Sequence, residues 1–236
     1  MSQEADQRRA ELVGALGAVR ARIADACTAV GRDSRSVTMI AVTKTYPATD
    51  IATLHELGVL DVGENRDQEA RAKAAELAEL ELRWHFVGRV QTNKANSITR
   101  YAYAVHSLDR SEAIAAFAKA TAERADPLQA FVQVSLDADT SRGGALESDV
   151  LALADQIAAA PGLRLAGVMS VPPIDADVEQ SFERLAAISA SLREQHPEAD
   201  SISGGMSSDL ESAVKFGATH VRVGTALLGR RRATFS

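Results

Sequence analysis

Residues 37–62 of the chain are VTMIAVTKTYPATDIATLHELGVLDV. A run of β-branched and apolar residues, Val37 to Val42, opens this stretch, and a second run, Val59 to Val62, closes it. The segment between them, Asp50 to Leu57, has apolar residues at the spacing of a helix. This order predicts one strand–helix–strand unit with parallel strands, because the crossover helix returns the chain to the end of the sheet where the first strand began.

The same alternation continues along the chain and predicts eight strands. The other six apolar runs are Trp84 to Val87, Tyr103 to His106, Ala130 to Ser135, Leu163 to Met169, Asp200 to Ser203 and His220 to Val223. Helical spacing occurs between the runs, in Arg66 to Leu80, Arg110 to Arg124, Leu146 to Ala159, Glu179 to Glu194 and Ser208 to Phe216. Eight such units favour an α/β fold of the (β/α)8 TIM barrel type. A doubly wound open sheet is the alternative, but no GxGxxG motif opens the first unit.

An extra N-terminal helix is predicted before the first strand. Its apolar stripe recurs at intervals of three and four residues and consists of Leu12, Leu16, Val19, Ile23, Ala26 and Val30. Gly31 is expected to end this helix, which would cover an end or edge of the barrel. We assign residues 1–236 to a single domain, because no linker or low-complexity tract divides them.

The charge pattern argues against nucleic acid or a membrane as a partner. The net charge is −6, and the basic residues are dispersed except for Arg230, Arg231 and Arg232, which we interpret as a solvated helix end. The single cysteine, Cys27, rules out an internal disulfide and fits a buried helix position in a cytoplasmic protein. The histidine spacing matches no metal-ligand pattern, so no metal site is expected.

Lys44 stands at a position where parallel α/β folds collect their reactive groups, the C-terminal end of a strand. It follows an apolar run, so its ammonium would be carried into the barrel mouth with little water around it. Desolvation disfavours the charged form and makes the amine a nucleophile toward an aldehyde. The alternatives are that Lys44 extends to solvent or pairs with Glu64.

Two glycine-containing segments follow the seventh and eighth runs, Ser203 to Asp209 and Arg222 to Thr225. Glycines let backbone amides approach an anion, hydroxyl groups add donors, and a helix N-terminus adds positive potential. In barrels the loops after strands seven and eight are the usual phosphate site. The two segments therefore predict a phosphate site, with ordinary helix caps and turns as the alternative.

Seven motifs in a fixed order give the chain a family resemblance. They are Ala41 to Pro47, Val62 to Asn65 with Gln68 and Glu69, Trp84 to Gly88 with Gln91, Asn93 and Lys94, His106 to Asp109, Gly167 to Met169 with Pro172 and Pro173, Gly205 to Ser207 with Asp209, and Val221 to Thr225. The chain resembles the pyridoxal 5'-phosphate (PLP) homeostasis protein family, which is itself similar to the barrel domain of alanine racemase. The resemblance extends over nearly the whole chain and implies a protein of intracellular PLP homeostasis.

The resemblance implies eight cofactor-binding residues: Lys44, Asn65, His85, Met169, Ser207, Arg222, Gly224 and Thr225. Lys44 would hold PLP covalently as a Schiff base, and Ser207, Gly224 and Thr225 would hold its phosphate. Arg222 would approach the pyridine nitrogen, with Asn65, His85 and Met169 around the ring. No catalytic residue is assigned.

We expect no robust catalytic activity. An arginine facing the pyridine nitrogen keeps its proton, so the ring nitrogen stays largely neutral and the cofactor is a weaker electron sink. We interpret Tyr46 as part of the loop structure, since it lies too close to Lys44 along the chain to reach the opposite face of the ring. A PLP enzyme of alanine racemase type is one alternative, and a Schiff-base aldolase or phosphate-sugar isomerase is another.

The resemblance also implies partners and an oligomeric state. We expect a monomer whose partners are PLP, amino acids and, as recipients of the cofactor, apo PLP enzymes. The role of residues 139–144 stays open, because Arg142 stands near a position where the family pattern suggests lysine.

Overall fold

The computed structural model describes residues 3–173 and 175–229, and in these residues eight parallel strands close into a barrel. The strands are β1 (Thr38–Val42), β2 (Asp61–Glu64), β3 (Arg83–Phe86), β4 (Ala102–Leu108), β5 (Leu128–Gln133), β6 (Leu163–Met169), β7 (Ser201–Met206) and β8 (His220–Val223). Strands pair in chain order, and β1 also pairs with β8. The predicted (β/α)8 barrel is confirmed, and the open sheet is wrong.

A helix follows every strand. The helices are α1 (Gln3–Ala29), α2 (Ala48–Glu56), α3 (Asp67–Glu76), α4 (Ala95–Ile98), α5 (Ser111–Thr121), α6 (Val150–Ala158), α7 (Val178–Gln195), α8 (Leu210–Lys215) and α9 (Thr225–Leu228). Both α4 and α9 are single turns, too short to show a helical repeat of apolar residues in the sequence. The longer α7 begins at a side-chain cap, since Asp177 accepts a hydrogen bond of 3.1 Å from the amide of Gln180.

The extra helix α1 lies on the outside of the barrel, against α2, α8 and α9 near the junction of β8 with β1. Its predicted stripe is buried from Leu12 to Ala26, and Cys27 is buried with it. The last residue of that stripe, Val30, is 39% exposed, because the helix ends at Ala29. Gly31 follows with a φ of 67°, as expected of a helix stop. The three arginines from 230 to 232 lie outside the described residues.

The barrel has an apolar outer layer and a polar interior. Phe117 of α5 and Phe182 of α7 are buried in a cluster between the helices and the strands. By contrast, His106 of β4 and Ser203 of β7 are 2.9 Å apart, although these two strands are not neighbours in the sheet. Their side chains can meet only across the interior, so the interior of the barrel contains polar groups.

Candidate functional site

Lys44 lies two residues beyond β1, at the end of the barrel where the strands finish. Its side chain is half-buried, and in the described part of the chain its ammonium has no hydrogen-bond or ion-pair partner. The backbone turns directly after it, because Thr45 has a φ of 69° and donates its amide hydrogen to Oε1 of Glu69 at 2.5 Å. Lys44 is therefore an amine that is available to a ligand.

Glu64, at the end of β2, pairs with Lys73 instead of Lys44. Its Oε1 accepts hydrogen bonds of 2.8 Å from the hydroxyl of Thr43 and from the ammonium of Lys73, which also bonds Glu69 at 2.6 Å. Burial raises the pKa of Glu64, and the hydrogen bond from Lys73 opposes this shift. The second oxygen, Oε2, is buried without a partner among the described residues. Lys73 was not predicted as part of the site, and its i,i+4 spacing from Glu69 was the available signal.

Tyr46 holds the loop after β1 in place. Its hydroxyl donates a hydrogen bond of 2.6 Å to the carbonyl oxygen of Gly229, just after α9. The loop that carries Lys44 is thus tied to the helix that follows β8. The structure gives Tyr46 the loop role that the sequence analysis expected.

The loops after β7 and β8 form the second part of the site. Ser207 accepts a hydrogen bond of 3.2 Å from the amide of Ala226, which joins the two loops. The backbone amides of Ser207, Gly224 and Thr225 have no acceptor in the residues that the structure describes. Gly224 lies against β1, since a Cβ there would be 3.4 Å from the carbonyl oxygen of Val42. Free amides beside the end of β1 are a donor set suited to an anion.

Arg222 is a buried guanidinium on β8, 5% exposed. It donates hydrogen bonds to the hydroxyl of Ser203 at 2.7 Å and to the carbonyl oxygen of Ser170 at 2.9 Å. No carboxylate of the described chain lies within 4 Å of it. Burial lowers its pKa to about 10, and the charge of Asp209 works against this. In the described residues the guanidinium is therefore bonded to neutral acceptors. A buried positive charge without an anionic partner favours the binding of an anionic ligand beside it.

Asn65, His85 and Met169, the three residues expected around a cofactor ring, belong to different strands or their ends. Asn65 is half-buried just beyond β2, and Met169 is buried at the end of β6 in a cluster with Phe131. His85 is buried in β3, where Asp61 and a second histidine occupy its two ring nitrogens. A direct hydrogen bond from His85 to a ligand would therefore displace one of these protein partners.

Five side chains form a continuous hydrogen-bonded path through the barrel interior, which we call the lumen chain: Arg222, Ser203, His106, His85 and Asp61. After the bond from Arg222, Ser203 Oγ lies 2.9 Å from His106 Nδ1. His106 Nε2 lies 2.9 Å from His85 Nδ1, and His85 Nε2 lies 2.9 Å from Asp61 Oδ1. All five side chains are buried. The path runs from β8 through β7, β4 and β3 to the start of β2.

Burial and these contacts shift the pKa values of the ionisable groups inside the barrel. Burial opposes ionisation of Asp61, but hydrogen bonds from His85 and Arg83 outweigh it and lower the pKa of Asp61 to about 2. Burial, together with His85, lowers the pKa of His106 well below its usual value. The same two causes lower the pKa of the neighbouring His220 to about 4. The histidines His106 and His220 are therefore neutral at physiological pH.

The sequence analysis assigned no site role to Asp61 or His106, and it included Ser203 only as the first residue of a predicted phosphate segment. The available signal was a polar residue inside an otherwise apolar strand, since such a side chain must find a partner when it is buried. His106 and Ser203 are 97 residues apart in the chain, so periodicity could not pair them.

The loop at residues 139–144 is held by ion pairs of Arg142 and by hydrogen bonds to Arg89 and Asp109. Arg142 pairs with Asp137, and its Nε lies 3.5 Å from Asp139.

Among the described residues, no group of three or more histidine, cysteine or acidic side chains is placed to hold a metal ion. None of the helices in those residues has the length and apolar character needed to cross a membrane.

Comparison with protein families gives one matching sequence model, described as the N-terminal domain of alanine racemase, over residues 15–232. The chain is 45% identical, over an alignment of 245 residues, to a pyridoxal phosphate homeostasis protein of Mycobacterium tuberculosis, with 95% of each chain covered. It is 34% identical over 222 residues to the protein of the same name from Escherichia coli, covering 92% of this chain and 95% of the relative.

Among solved structures, the chain is similar to PipY of Synechococcus elongatus, determined with PLP bound. The TM-score is 0.78 at 33% sequence identity, and the match covers 88% of this chain and all of the other. The overall fold is thus shared with a protein whose structure was determined with PLP bound.

Proposed function

Because the chain belongs to the pyridoxal phosphate homeostasis protein family, we propose that it binds PLP at the C-terminal mouth of its barrel and serves intracellular PLP homeostasis. In this proposal Lys44 holds the cofactor covalently as a Schiff base. One observation carries the proposal: Arg222 on β8, and Lys44 two residues beyond the paired strand β1, are basic side chains that lack an anionic partner among the described residues. PLP is an anion with an aldehyde, which matches both groups.

Each residue has a distinct task in this proposal. The amides of Ser207, Gly224 and Thr225, which have no acceptor in the described chain, bind the phosphate. Arg222 faces the pyridine nitrogen, and Lys44 supplies the amine. When bound, the cofactor supplies an aldehyde that condenses with amines and a ring that withdraws electrons. Asn65 borders the ring at the mouth of the barrel, while His85 and Met169 support it from within the barrel.

The same residues favour binding over turnover. Arg222 keeps its proton because its pKa is about 10, so it offers the pyridine nitrogen no proton at neutral pH. The hydroxyl of Tyr46 is engaged with Gly229 and is not free to act as a second base. The test is exchange of the α-hydrogen of L-alanine in deuterium oxide. We expect no steady exchange, whereas exchange that disappears in Lys44→Ala would support a racemase-type enzyme.

We further propose that the protein acts in the cytoplasm as a monomeric single-domain chain. Its partners would be PLP, amino acids as competing amines, and apo PLP enzymes that receive the cofactor. The half-buried side chain of Lys44, which has no partner in the described chain, supports exchange of the cofactor with other amines. Sedimentation equilibrium at several protein concentrations tests the monomer, and a mass that rises with concentration would contradict it.

The experiment for the cofactor site is titration of the purified protein with PLP, followed by its visible absorption. We expect the wild type to develop the band of a PLP Schiff base and Lys44→Ala to lose it. Lys119→Ala is the matched control, because Lys119 is an exposed lysine on α5, on the outside of the barrel. Equal bands in Lys44→Ala and Lys119→Ala would contradict the proposal.

A further inference from the structure

The protons of the lumen chain can be assigned from its hydrogen-bonding inventory. Arg222 can only donate, so Ser203 Oγ accepts from it. The hydroxyl hydrogen of Ser203 then has one acceptor among its contacts in the described chain, Nδ1 of His106. A histidine that accepts at Nδ1 carries its proton on Nε2, and His106 therefore donates to Nδ1 of His85. His85 in turn carries its proton on Nε2 and donates to Asp61.

Every hydrogen bond of the lumen chain consequently points the same way, from Arg222 toward Asp61. In this order of protons each of the two histidines presents an unprotonated nitrogen toward the Arg222 end of the chain. The aligned dipoles place their negative ends toward a guanidinium that has no carboxylate within 4 Å in the described residues. Their positive ends face Asp61. Hydrogen bonds aligned in this way strengthen one another.

Both ends of the lumen chain are fixed, and so is its middle. Asp61 is clamped by Arg83, whose Nε and Nη2 donate to its two oxygens at 2.7 and 2.5 Å. The ring of His106 stacks on Phe131 with the centroids 4.2 Å apart and the planes 12° apart. Arg222 is bonded a second time to the carbonyl oxygen of Ser170. The position of Arg222 is therefore set by side chains that lie well inside the barrel.

We propose that Ser203 and His106 are positioning residues for the cofactor: through one fixed order of protons they hold the guanidinium of Arg222 against the ring. This inference rests on the proposed function, in which Arg222 faces the pyridine nitrogen of PLP. Neither Ser203 nor His106 touches the cofactor in this scheme. They act through Arg222, as residues behind a ligand-contacting group do when they fix its orientation.

The proton order is measured without cofactor, by NMR of apo protein labelled with ¹⁵N in its histidines. We expect His106 and His85 both to carry hydrogen on Nε2 alone. We also expect a coupling across the hydrogen bond between His106 Nε2 and His85 Nδ1. A proton on Nδ1 of His106, or a doubly protonated His85 at neutral pH, would overturn the proposal. This measurement stands whether or not PLP binds at Lys44.

The effect on the cofactor is measured in Ser203→Ala, which removes the acceptor of Arg222. We expect PLP to be released about tenfold faster, because a hydrogen bond to a charged group is lost. The visible band should shift as the guanidinium moves. Ser203→Thr keeps the hydroxyl and should restore both properties. His220→Asn is the matched control, a lumen histidine outside the lumen chain whose ring centroid lies 6.2 Å from that of His106.

The outcomes separate the two proposals. If the wild type binds PLP at Lys44 and Ser203→Ala releases it at the wild-type rate, the positioning role is wrong while the function stands. If the wild type forms no adduct at Lys44, the proposed function fails, and the positioning role fails with it even if the NMR shows the expected proton order. Thermal unfolding of each variant checks that the barrel is intact, and equal effects of Ser203→Ala and His220→Asn would also contradict the proposal.

Discussion

At the scale of single residues, Asp61 is an ionised carboxylate inside a barrel. It is 7% exposed, and it stays charged because His85 and Arg83 donate hydrogen bonds to it. Its pKa of about 2 lies below the usual value of 3.8. A carboxylate with a depressed pKa stabilises the folded state above its unfolded pKa, and this stabilisation is lost as the pH falls through the folded pKa.

The first prediction concerns Asp61→Asn and acid stability. Between pH 4 and pH 2 the wild type should lose about 2 kcal/mol of unfolding free energy through this one group. The asparagine variant keeps an acceptor for His85 but has no charge to titrate, so its stability should fall less steeply over the same window. Urea unfolding at a series of pH values measures the difference. Parallel pH profiles for the two proteins would show that Asp61 is not held in its ionised form.

Residue roles were predictable to different degrees. The placement of Lys44 and of the two glycine-containing segments at strand ends could be predicted because these are local features of the sequence. The pairing of Glu64 with Lys73 instead of Lys44 depends on which side chains face each other after folding. The lumen chain depends on contacts across the barrel, so a sequence pattern shows polar residues within strands but does not show which of them meet.

At the scale of elements, β7 shows how backbone geometry positions the loop that contains Ser207. Gly205 has a φ of 89°, and a Cβ on it would lie 2.6 Å from the Cβ of Ala213 in α8. A larger residue would be strained by the backbone and would also push α8 away from the strand. Because Ser207 follows two residues later, the close approach of β7 and α8 at Gly205 sets the position of the loop.

The second prediction compares Gly205→Ala with Gly14→Ala. The first should destabilise the protein by roughly 2–4 kcal/mol, from strain at a positive φ and overpacking against α8. The second should stabilise it by roughly 0.5–1 kcal/mol, because Gly14 is exposed within α1 and nothing lies within 4 Å of its added methyl. Urea unfolding measures both. A neutral effect at Gly205 would mean that the helix can move without loss.

The order of the strands was predicted better than the residues at which they end. All eight strands were predicted in order because β-branched runs alternate with helical spacing. The seventh was predicted to end at Ser203, but β7 continues to Met206 through Gly204 and Gly205. Glycines are typical of loops, and here tertiary packing keeps them in a strand.

At the scale of the whole molecule, the barrel joins an ion pair near the starts of its strands to the proposed cofactor site at their ends. Asp61 and Arg83 lie at the first residues of β2 and β3, and Arg222 lies toward the end of β8. The eight-unit repeat was sufficient to predict this closed architecture. The polar content of its interior was not predicted, because the apolar pattern reports mainly on the outer layer beneath the helices.

The most direct test of the central claim is reduction of the PLP-loaded protein with borohydride, followed by peptide mapping by mass spectrometry. The account predicts one stable pyridoxyl adduct, on the peptide that contains Lys44. Lys73 is the critical comparison, because it is a buried lysine whose ammonium bonds the carbonyl oxygen of Thr43 at 2.8 Å. An adduct at Lys73 or at another lysine, with Lys44 unmodified, would contradict the account.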